Sequence, residues 1–427
     1  TICVLILAPY NARMVHPMVI TKLNRPLLRP NLVARPSLTA RLDAGVNRKL
    51  TLVSAPAGFG KTTLVSEWLS GTNRQVGWLQ LDGTDNDLTR FLTGMVVALQ
   101  KIEPTIRQPD YKMVQTEPAS ILATLINDIA ASLLEFILVL DDYQVITAQP
   151  VHQAVVFLLD HLPENLRLVI ISRADPPLLL GRLRGRGQLT ELRQADLRFI
   201  PDEIKILVDR GLGFRLSHQD LAALAARTEG WIAGLQMAIL AMRSIGVAQE
   251  PDSRRFTQFI QAFSGSNRYI MDYLVDEVLL QQPESIQHFL LQTAVLEQLT
   301  APLCDAVTGQ TDSQVTLEIL ERSNLFIIPL DHERRWYRYH HLFADLLRQR
   351  LHRRYQTSAA AGGSEAIARL HVRASQWYER NGFMAEAIAH AFSALDFGQA
   401  ANLIEHAARP TLMRSEITTF RDWVDRL

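Results

Sequence analysis

The sequence has 427 residues, of which 48% are hydrophobic, and this length predicts about three domains rather than a single core. Its 44 Lys and Arg residues balance 44 Asp and Glu residues, and a net charge of zero argues against a general nucleic-acid binder, a class that presents a basic face. The two cysteines, Cys3 and Cys304, exclude a zinc-ligand spacing and a disulfide framework, which fits a cytoplasmic location.

The first segment, residues 1–20, begins with the apolar run TICVLILAPY. This run is short and lacks the Lys or Arg residues that precede the apolar part of a signal peptide. No later run reaches the roughly 20 apolar residues that span a bilayer, so we expect no membrane association. We expect residues 1–20 to be a disordered extension ahead of the folded unit, with Met14 and Met18 as candidate start residues.

Four short apolar runs predict β-strands at residues 50–55, 76–82, 136–142 and 166–173. The last two runs are almost wholly apolar, as strands buried on both faces should be. Helical patterns lie between the runs, and strands that alternate with helices form a parallel sheet covered by helices. The sequence therefore predicts an α/β domain over residues 21–200.

The stretch APAGFGKT, residues 55–62, follows the first predicted strand and opens a helix. It matches the phosphate-loop pattern G-x-x-x-x-G-K-S/T except at Ala55, and the alternative is a strand–turn–helix connection with incidental glycines. Glycine lets the backbone approach a phosphate, and the amides and the helix start attract its charge. Lys61 would contact the β- and γ-phosphates, and Thr62 would also ligate Mg²⁺. The predicted nucleotide-binding residues are Pro56, Ala57, Gly58, Phe59, Gly60, Lys61, Thr62 and Thr63.

Polar residues end the third and fourth predicted strands, at the sheet edge where ligands bind in such folds. We assign Asp141 to Mg²⁺ and Asp142 to the catalytic orientation of a water molecule, the alternative being that both cap the next helix. Arg173 is a second catalytic candidate, because a cation at this edge can contact a γ-phosphate. The alternative for Arg173 is an ion pair with a surface carboxylate.

An arginine-rich segment follows at residues 181–199 and contains Arg182, Arg184 and Arg186. We interpret this segment as a solvated loop. The alternative is a surface that binds a partner.

After residue 200 the sequence becomes mainly helical, with apolar residues at the i, i+3, i+4 spacing. We assign residues 201–265 to a helical domain. Two short β signals at residues 324–331 and 335–340, followed by a helix, predict a winged-helix domain over residues 266–355. Residues 356–427 show the helix-pair pattern that starts an array of TPR-like repeats. Because at least three repeats are normally needed for stability, we expect the chain to be a fragment or to be terminated early.

Seven stretches in a fixed order resemble the STAND class of signal-transduction ATPases, and more closely the MalT-like branch of the large LuxR-type transcriptional activators. The resemblance covers residue 20 to the C-terminus and rests on TKLNRPLLRPNLVARPSLTARL, SAPAGFGKTTL, GWLQLDGTDND, LVLDDY, SRADPPL, TEGWIAGLQMA and WYRYHHLFADLL.

The resemblance implies further site residues. Val33 and Arg35 would lie near the adenine, and His340 would touch the phosphates of ADP. An ordinary partly buried histidine is the alternative for His340. The family's Gly-x-Pro motif corresponds to GWIAGLQ, residues 230–236, in which proline is missing. Tyr143 and Asp82 are weaker candidates.

The function implied is an ATP/ADP-dependent switch in transcription regulation and signal transduction. ADP would hold a closed state, ATP would allow self-association, and slow hydrolysis would reset the protein. Inducer and DNA would bind only through C-terminal domains absent from this chain. Two other classes stay open: a metabolic ATPase or kinase, and a non-catalytic scaffold stabilised by nucleotide.

Overall fold

The computed structural model describes residues 20–28, 32–108, 118–244, 253–263, 265, 267–357, 363–413 and 417–427. The predicted extension 1–20 therefore lies almost wholly outside the described residues. The chain divides into two compact units, of which the first contains residues 20–55 and 61–196 of the described ranges. The second unit contains Pro56–Gly60 and the described residues from Leu197 onward.

A five-stranded parallel sheet forms the centre of the first unit, in the strand order β2-β3-β4-β1-β5. The central strands are buried over their whole length or nearly so, because helices cover the sheet. The α/β prediction with a parallel sheet is confirmed, and all four predicted strands are present. The strands are β1 (Leu50–Ser54), β2 (Gln75–Gln80), β3 (Phe136–Asp141), β4 (Leu166–Ser172) and β5 (Leu189–Arg193).

The helices of the first unit connect these strands. Their apolar residues, such as Phe91, Met95 and Val155, pack into one core with the sheet. Short 3₁₀ turns occupy Ile20–Leu23, Gly83–Asn86 and Tyr143–Val145. The helices are α1 (Pro36–Gly45), α2 (Lys61–Ser70), α3 (Leu88–Gln100), α4 (Pro118–Ala131), α5 (Gln149–Asp160), α6 (Leu180–Gly185) and α7 (Gln194–Leu197), the last of which ends at the first residue of the second unit.

The prediction of a solvated loop over residues 181–199 is wrong. This segment contains most of α6, the edge strand β5 and α7. Two of its arginines are held by carboxylates: Arg182 pairs with Asp160, and Arg184 Nε lies 2.8 Å from Glu191 Oε2. Only two residues of β5, Leu189 and Leu192, carry large apolar side chains, so the run was too short to signal a strand.

The second unit is mainly helical, as predicted. Its helices after α7 are α8 (Pro201–Leu212), α9 (His218–Thr228), α10 (Ile232–Ser244), α11 (Ser253–Ala262), α12 (Arg268–Leu274), α13 (Glu284–Thr293), α14 (Ala301–Thr308), α15 (Ser313–Arg322), α16 (His341–Thr357), α17 (Gly363–Arg380), α18 (Met384–Ser393), α19 (Phe397–Met413) and α20 (Ile417–Val424). A π-helical turn, Val275–Leu279, extends α12.

An antiparallel ribbon precedes α16, as the β signals predicted, and consists of β6 (Ile327–Pro329) and β7 (Tyr337–Tyr339). From α17 to α20 each helix packs on the next, which agrees with the predicted helix pairs. Within the described ranges, none of the helices has the length and apolar character needed to cross a membrane.

Candidate functional site

The glycine-rich loop follows β1, and α2 begins directly after it at Lys61. Gly58 and Gly60 have φ angles of +76° and +74°, a region that side chains disfavour, which explains why glycine stands at both positions. The Lys61 ammonium is buried and donates a hydrogen bond of 2.8 Å to the Ala55 carbonyl. Burial, with the nearby charge of Arg173, lowers the pKa of Lys61 to about 8.

The hydroxyl of Thr62 and the carboxylate of Asp141 meet at the end of β3. Thr62 Oγ1 donates to Asp141 Oδ1 over 3.1 Å, and Asp141 is almost fully buried. Burial, together with the neighbouring charge of Asp142, raises the pKa of Asp141 to about 7. A hydroxyl and a carboxylate oxygen are the hard ligands that Mg²⁺ takes alongside substrate phosphates.

Two glutamines that the sequence analysis did not identify orient the predicted catalytic carboxylate. Asp142 is in the left-handed region, with φ of 58°. Its oxygens accept hydrogen bonds from Gln144 Nε2 at 2.9 Å and from Gln80 Nε2 at 3.4 Å. Gln144 also accepts the backbone N–H of Arg173 at 2.8 Å, so it links the ends of β3 and β4. Their spacing in the sequence carried no signal for this role.

Val33 and Arg35, the predicted adenine contacts, are both buried beside the start of α1. Arg35 Nη2 lies 3.5 Å from the carbonyl oxygen of Asp196. The adenine role of both residues stays a prediction. Thr63, next to Thr62 in α2, is exposed.

The two weaker candidates make local structural contacts. Asp82 caps the turn Gly83–Asn86 and forms an ion pair of 3.1 Å with Lys22. The hydroxyl of the buried Tyr143 lies 3.0 Å from His152 Nδ1.

In the second unit, His340 is fully buried between the rings of Trp231 and Phe326. Its Nε2 lies 3.1 Å from the carbonyl oxygen of Thr228, and its Nδ1 has no hydrogen-bond partner among the described residues. Burial lowers the pKa of His340 to about 4, so the ring is neutral at pH 7. Because a carbonyl can only accept, the proton of the neutral ring lies on Nε2 and Nδ1 is an acceptor.

The chain resembles several known proteins. A family model described as the MalT winged helix domain matches residues 275–359. The HTH-type transcriptional regulator MalT of Serratia proteamaculans is 34% identical over 419 residues, which cover 96% of this chain and 44% of that protein. The serine/threonine-protein kinase PknK of Mycobacterium tuberculosis is 33% identical over 404 residues, covering 93% of this chain and 35% of the kinase.

Among solved structures, a Walker-type ATPase of Pyrococcus abyssi matches with a TM-score of 0.51 at 17% identity, over 77% of this chain and 100% of that one. This likeness supports the P-loop type of fold, and the family model confirms the predicted winged helix. The chain spans less than half the length of these two curated relatives, at 44% of MalT and 35% of PknK.

Proposed function

We propose that this chain, which is 34% identical to a MalT regulator over 96% of its own length, is a MalT-like ATPase of the STAND class that acts as the nucleotide-dependent switch of a transcriptional regulator. One observation carries the proposal: a loop with two left-handed glycines leads into the buried Lys61, and Thr62 of the same turn meets Asp141. This arrangement suits a nucleotide polyphosphate with Mg²⁺.

The chemical type of each site residue suggests which part of the nucleotide it would bind. Loop residues 56–60 would bind phosphates with Lys61, Thr62 and Thr63. Thr62 and Asp141 would hold Mg²⁺, which would neutralise phosphate charge. In the described ranges no group of three His, Cys, Asp or Glu residues is arranged to hold a metal, so the remaining ligands of Mg²⁺ would be phosphate oxygens and water.

Slow hydrolysis would depend on Asp142 and Arg173. We propose that Asp142 orients the attacking water with help from Gln144 and Gln80, which hold its two oxygens. The Arg173 guanidinium would contact the γ-phosphate, since Arg173 directly follows β4, whose last residue Ser172 pairs with Ser54 at the end of β1.

For Asp142→Asn we expect ATP affinity within about threefold of the parent and hydrolysis reduced about 100-fold, the usual effect of removing a catalytic base. Asparagine keeps the shape of the side chain but loses the basic oxygen. Single-turnover hydrolysis of radiolabelled ATP measures the effect, with Asp160→Asn in a surface ion pair as the control. Equal hydrolysis by Asp142→Asn and the parent would remove Asp142 from the mechanism.

ADP would stabilise the closed state with a contribution from His340. A neutral His340 offers a phosphate only an acceptor at Nδ1, so a contact requires protonation or a new ring orientation. We expect His340→Ala to release ADP about tenfold faster and to self-associate more readily. Stopped-flow displacement of fluorescent ADP measures the release rate. The control variant is His341→Ala, which removes the exposed neighbouring histidine. An ADP release rate equal to that of the parent would limit His340 to a structural role.

The relatives favour a switch over a metabolic enzyme. Nearly the whole chain aligns both with a protein named a transcriptional regulator and with a protein named a kinase. We expect a region shared by a transcriptional regulator and a protein kinase to control the activity of the protein that contains it, whichever activity that is.

The decisive experiment identifies the nucleotide that co-purifies with the chain and compares its self-association in ADP and in ATP. We expect monomers with ADP and larger species with ATP, as measured by light scattering. Identical scattering with both nucleotides would contradict the switch. Phosphoryl transfer to a small molecule would instead favour a kinase, and bound ADP that never exchanges would favour a scaffold.

A further inference from the structure

Two carbonyl groups of the glycine-rich loop are held by hydrogen-bond donors of the second unit, to which the loop residues also belong. Trp231 Nε1 donates to the Ala57 carbonyl over 3.0 Å. The Ala233 amide donates to the Gly58 carbonyl, also over 3.0 Å. Trp231 directly precedes α10, and Ala233 is the second residue of that helix. These two bonds fix the orientation of two successive peptide planes of the loop.

The orientation of these planes matters for phosphate binding. In a planar trans peptide the carbonyl and the N–H of the next residue point in opposite directions. Holding the carbonyls of Ala57 and Gly58 toward α10 therefore turns the N–H groups of Gly58 and Phe59 to the other side of the loop. Successive backbone N–H groups of this kind form the anion-binding concavity of a phosphate loop.

Close packing supports the same contact. A Cβ atom added to Gly58 would lie 2.6 Å from the Ala233 Cβ and 2.8 Å from Trp231 Nε1, closer than atoms can approach. Phe59 is 1% exposed, and its ring centroid lies 6.3 Å from that of Phe326. The Phe326 ring in turn lies 5.2 Å from the Trp231 ring. The loop is thus enclosed by side chains as well as held by hydrogen bonds.

We propose that Trp231 and the Ala233 amide are positioning groups for nucleotide binding, which hold the loop so that its amides face the phosphates. This inference rests on the proposed nucleotide function and adds a route of regulation. Because the same contact favours nucleotide binding, bound nucleotide favours the contact to the same extent. Any rearrangement within the second unit that withdraws α10 from the loop therefore lowers nucleotide affinity.

The first test is Trp231→Phe, which keeps an aromatic ring and removes the indole N–H. We expect its ADP affinity to fall about tenfold in a titration with fluorescent ADP. The matched control is Trp78→Phe, because Trp78 is also fully buried but its Nε1 has no hydrogen-bond partner in the part of the chain that the structure describes. Trp78→Phe should bind ADP like the parent.

A second readout needs no nucleotide. Amides in the first turn of a helix have no acceptor within the helix, so protection of the Ala233 N–H from hydrogen exchange reports its bond to Gly58. We expect this amide to be protected in the parent and in Trp78→Phe, and to exchange at least tenfold faster in Trp231→Phe.

If Trp231→Phe does not fold, Ala233→Pro tests the positioning role instead. This variant removes the N–H that donates to the Gly58 carbonyl, and it does so in the first helical turn, where proline is tolerated. We expect Ala233→Pro to lose about tenfold in ADP affinity. Parent-like ADP affinity in the folded variants would overturn the positioning role. A parent that binds no ADP would instead contradict the proposed function itself, so the two failures are distinguishable.

Discussion

Lys61→Ala is expected to lower ATP affinity at least 100-fold. The buried ammonium would form charge-assisted hydrogen bonds with two phosphates, each worth about 1.5–3 kcal/mol, and about 1.4 kcal/mol corresponds to tenfold in affinity. Burial lowers the pKa of Lys61 to about 8, so keeping this charge costs folding free energy below that pH. We therefore expect nucleotide-free Lys61→Ala to melt at the same or a higher temperature than the parent.

Isothermal titration with ATP and thermal melting without nucleotide measure the two effects. Lys61→Met separates charge from packing, because it keeps an unbranched stem and should also lose binding. Lys205→Ala removes an exposed lysine of α8 and should change neither quantity. Unchanged ATP affinity in Lys61→Ala would contradict the phosphate assignment.

The second large effect concerns Glu229, which joins three parts of the second unit. Its carboxylate is 8% exposed and accepts two hydrogen bonds of 2.8 Å from Arg338 on β7. Arg198 Nη2 lies 3.5 Å away, and the His341 amide donates over 3.2 Å. Removing one partner of a buried ion pair costs about 3–5 kcal/mol. Because the two arginines are partly exposed, we expect Glu229→Ala to lower the free energy of unfolding by about 3 kcal/mol.

The loss should depend on pH. Burial alone would raise the pKa of Glu229, but the hydrogen bonds and charge of Arg338 lower it from 4.5 to about 2. The group therefore stabilises the fold fully above pH 4.5, and this contribution disappears as the pH falls toward 2. Urea unfolding should show a difference between parent and variant that is constant near pH 7 and shrinks below pH 4.5.

The control is Glu318→Ala, which breaks an exposed i,i+4 pair with Arg322 and should cost less than about 0.5 kcal/mol. Equal stability of Glu229→Ala and Glu318→Ala would show that the Glu229 ion pairs do not stabilise the unit.

Local patterns in the sequence were sufficient to predict most of the fold. The runs at β1, β3 and β4 are apolar because both faces of these strands are buried, and this pattern is visible without a structure. The edge strand β5 has only five residues, two of which are the charged Glu191 and Arg193, so its pattern resembles a loop. The strand was therefore missed.

Part of the candidate site was equally visible. Short local motifs identify Lys61 and Thr62 in the glycine-rich loop and Asp141 at the end of an apolar strand, because phosphate and Mg²⁺ binding requires these residue types there. Thr62 and Asp141 do form a hydrogen bond in the structure. Gln80 and Gln144 stand in no such motif. They come to Asp142 only because the ends of neighbouring parallel strands meet at one edge of the sheet.

The sequence alone determined the parallel sheet, the glycine-rich loop and the mainly helical remainder, because backbone requirements and buried faces leave a periodic or local pattern. Only the tertiary structure decided what holds the loop. Trp231 lies 174 residues from Ala57 along the chain, yet its indole N–H satisfies the Ala57 carbonyl. A hydrogen bond between residues so far apart depends on the packing of whole helices, and the amino-acid types of the two residues do not encode it.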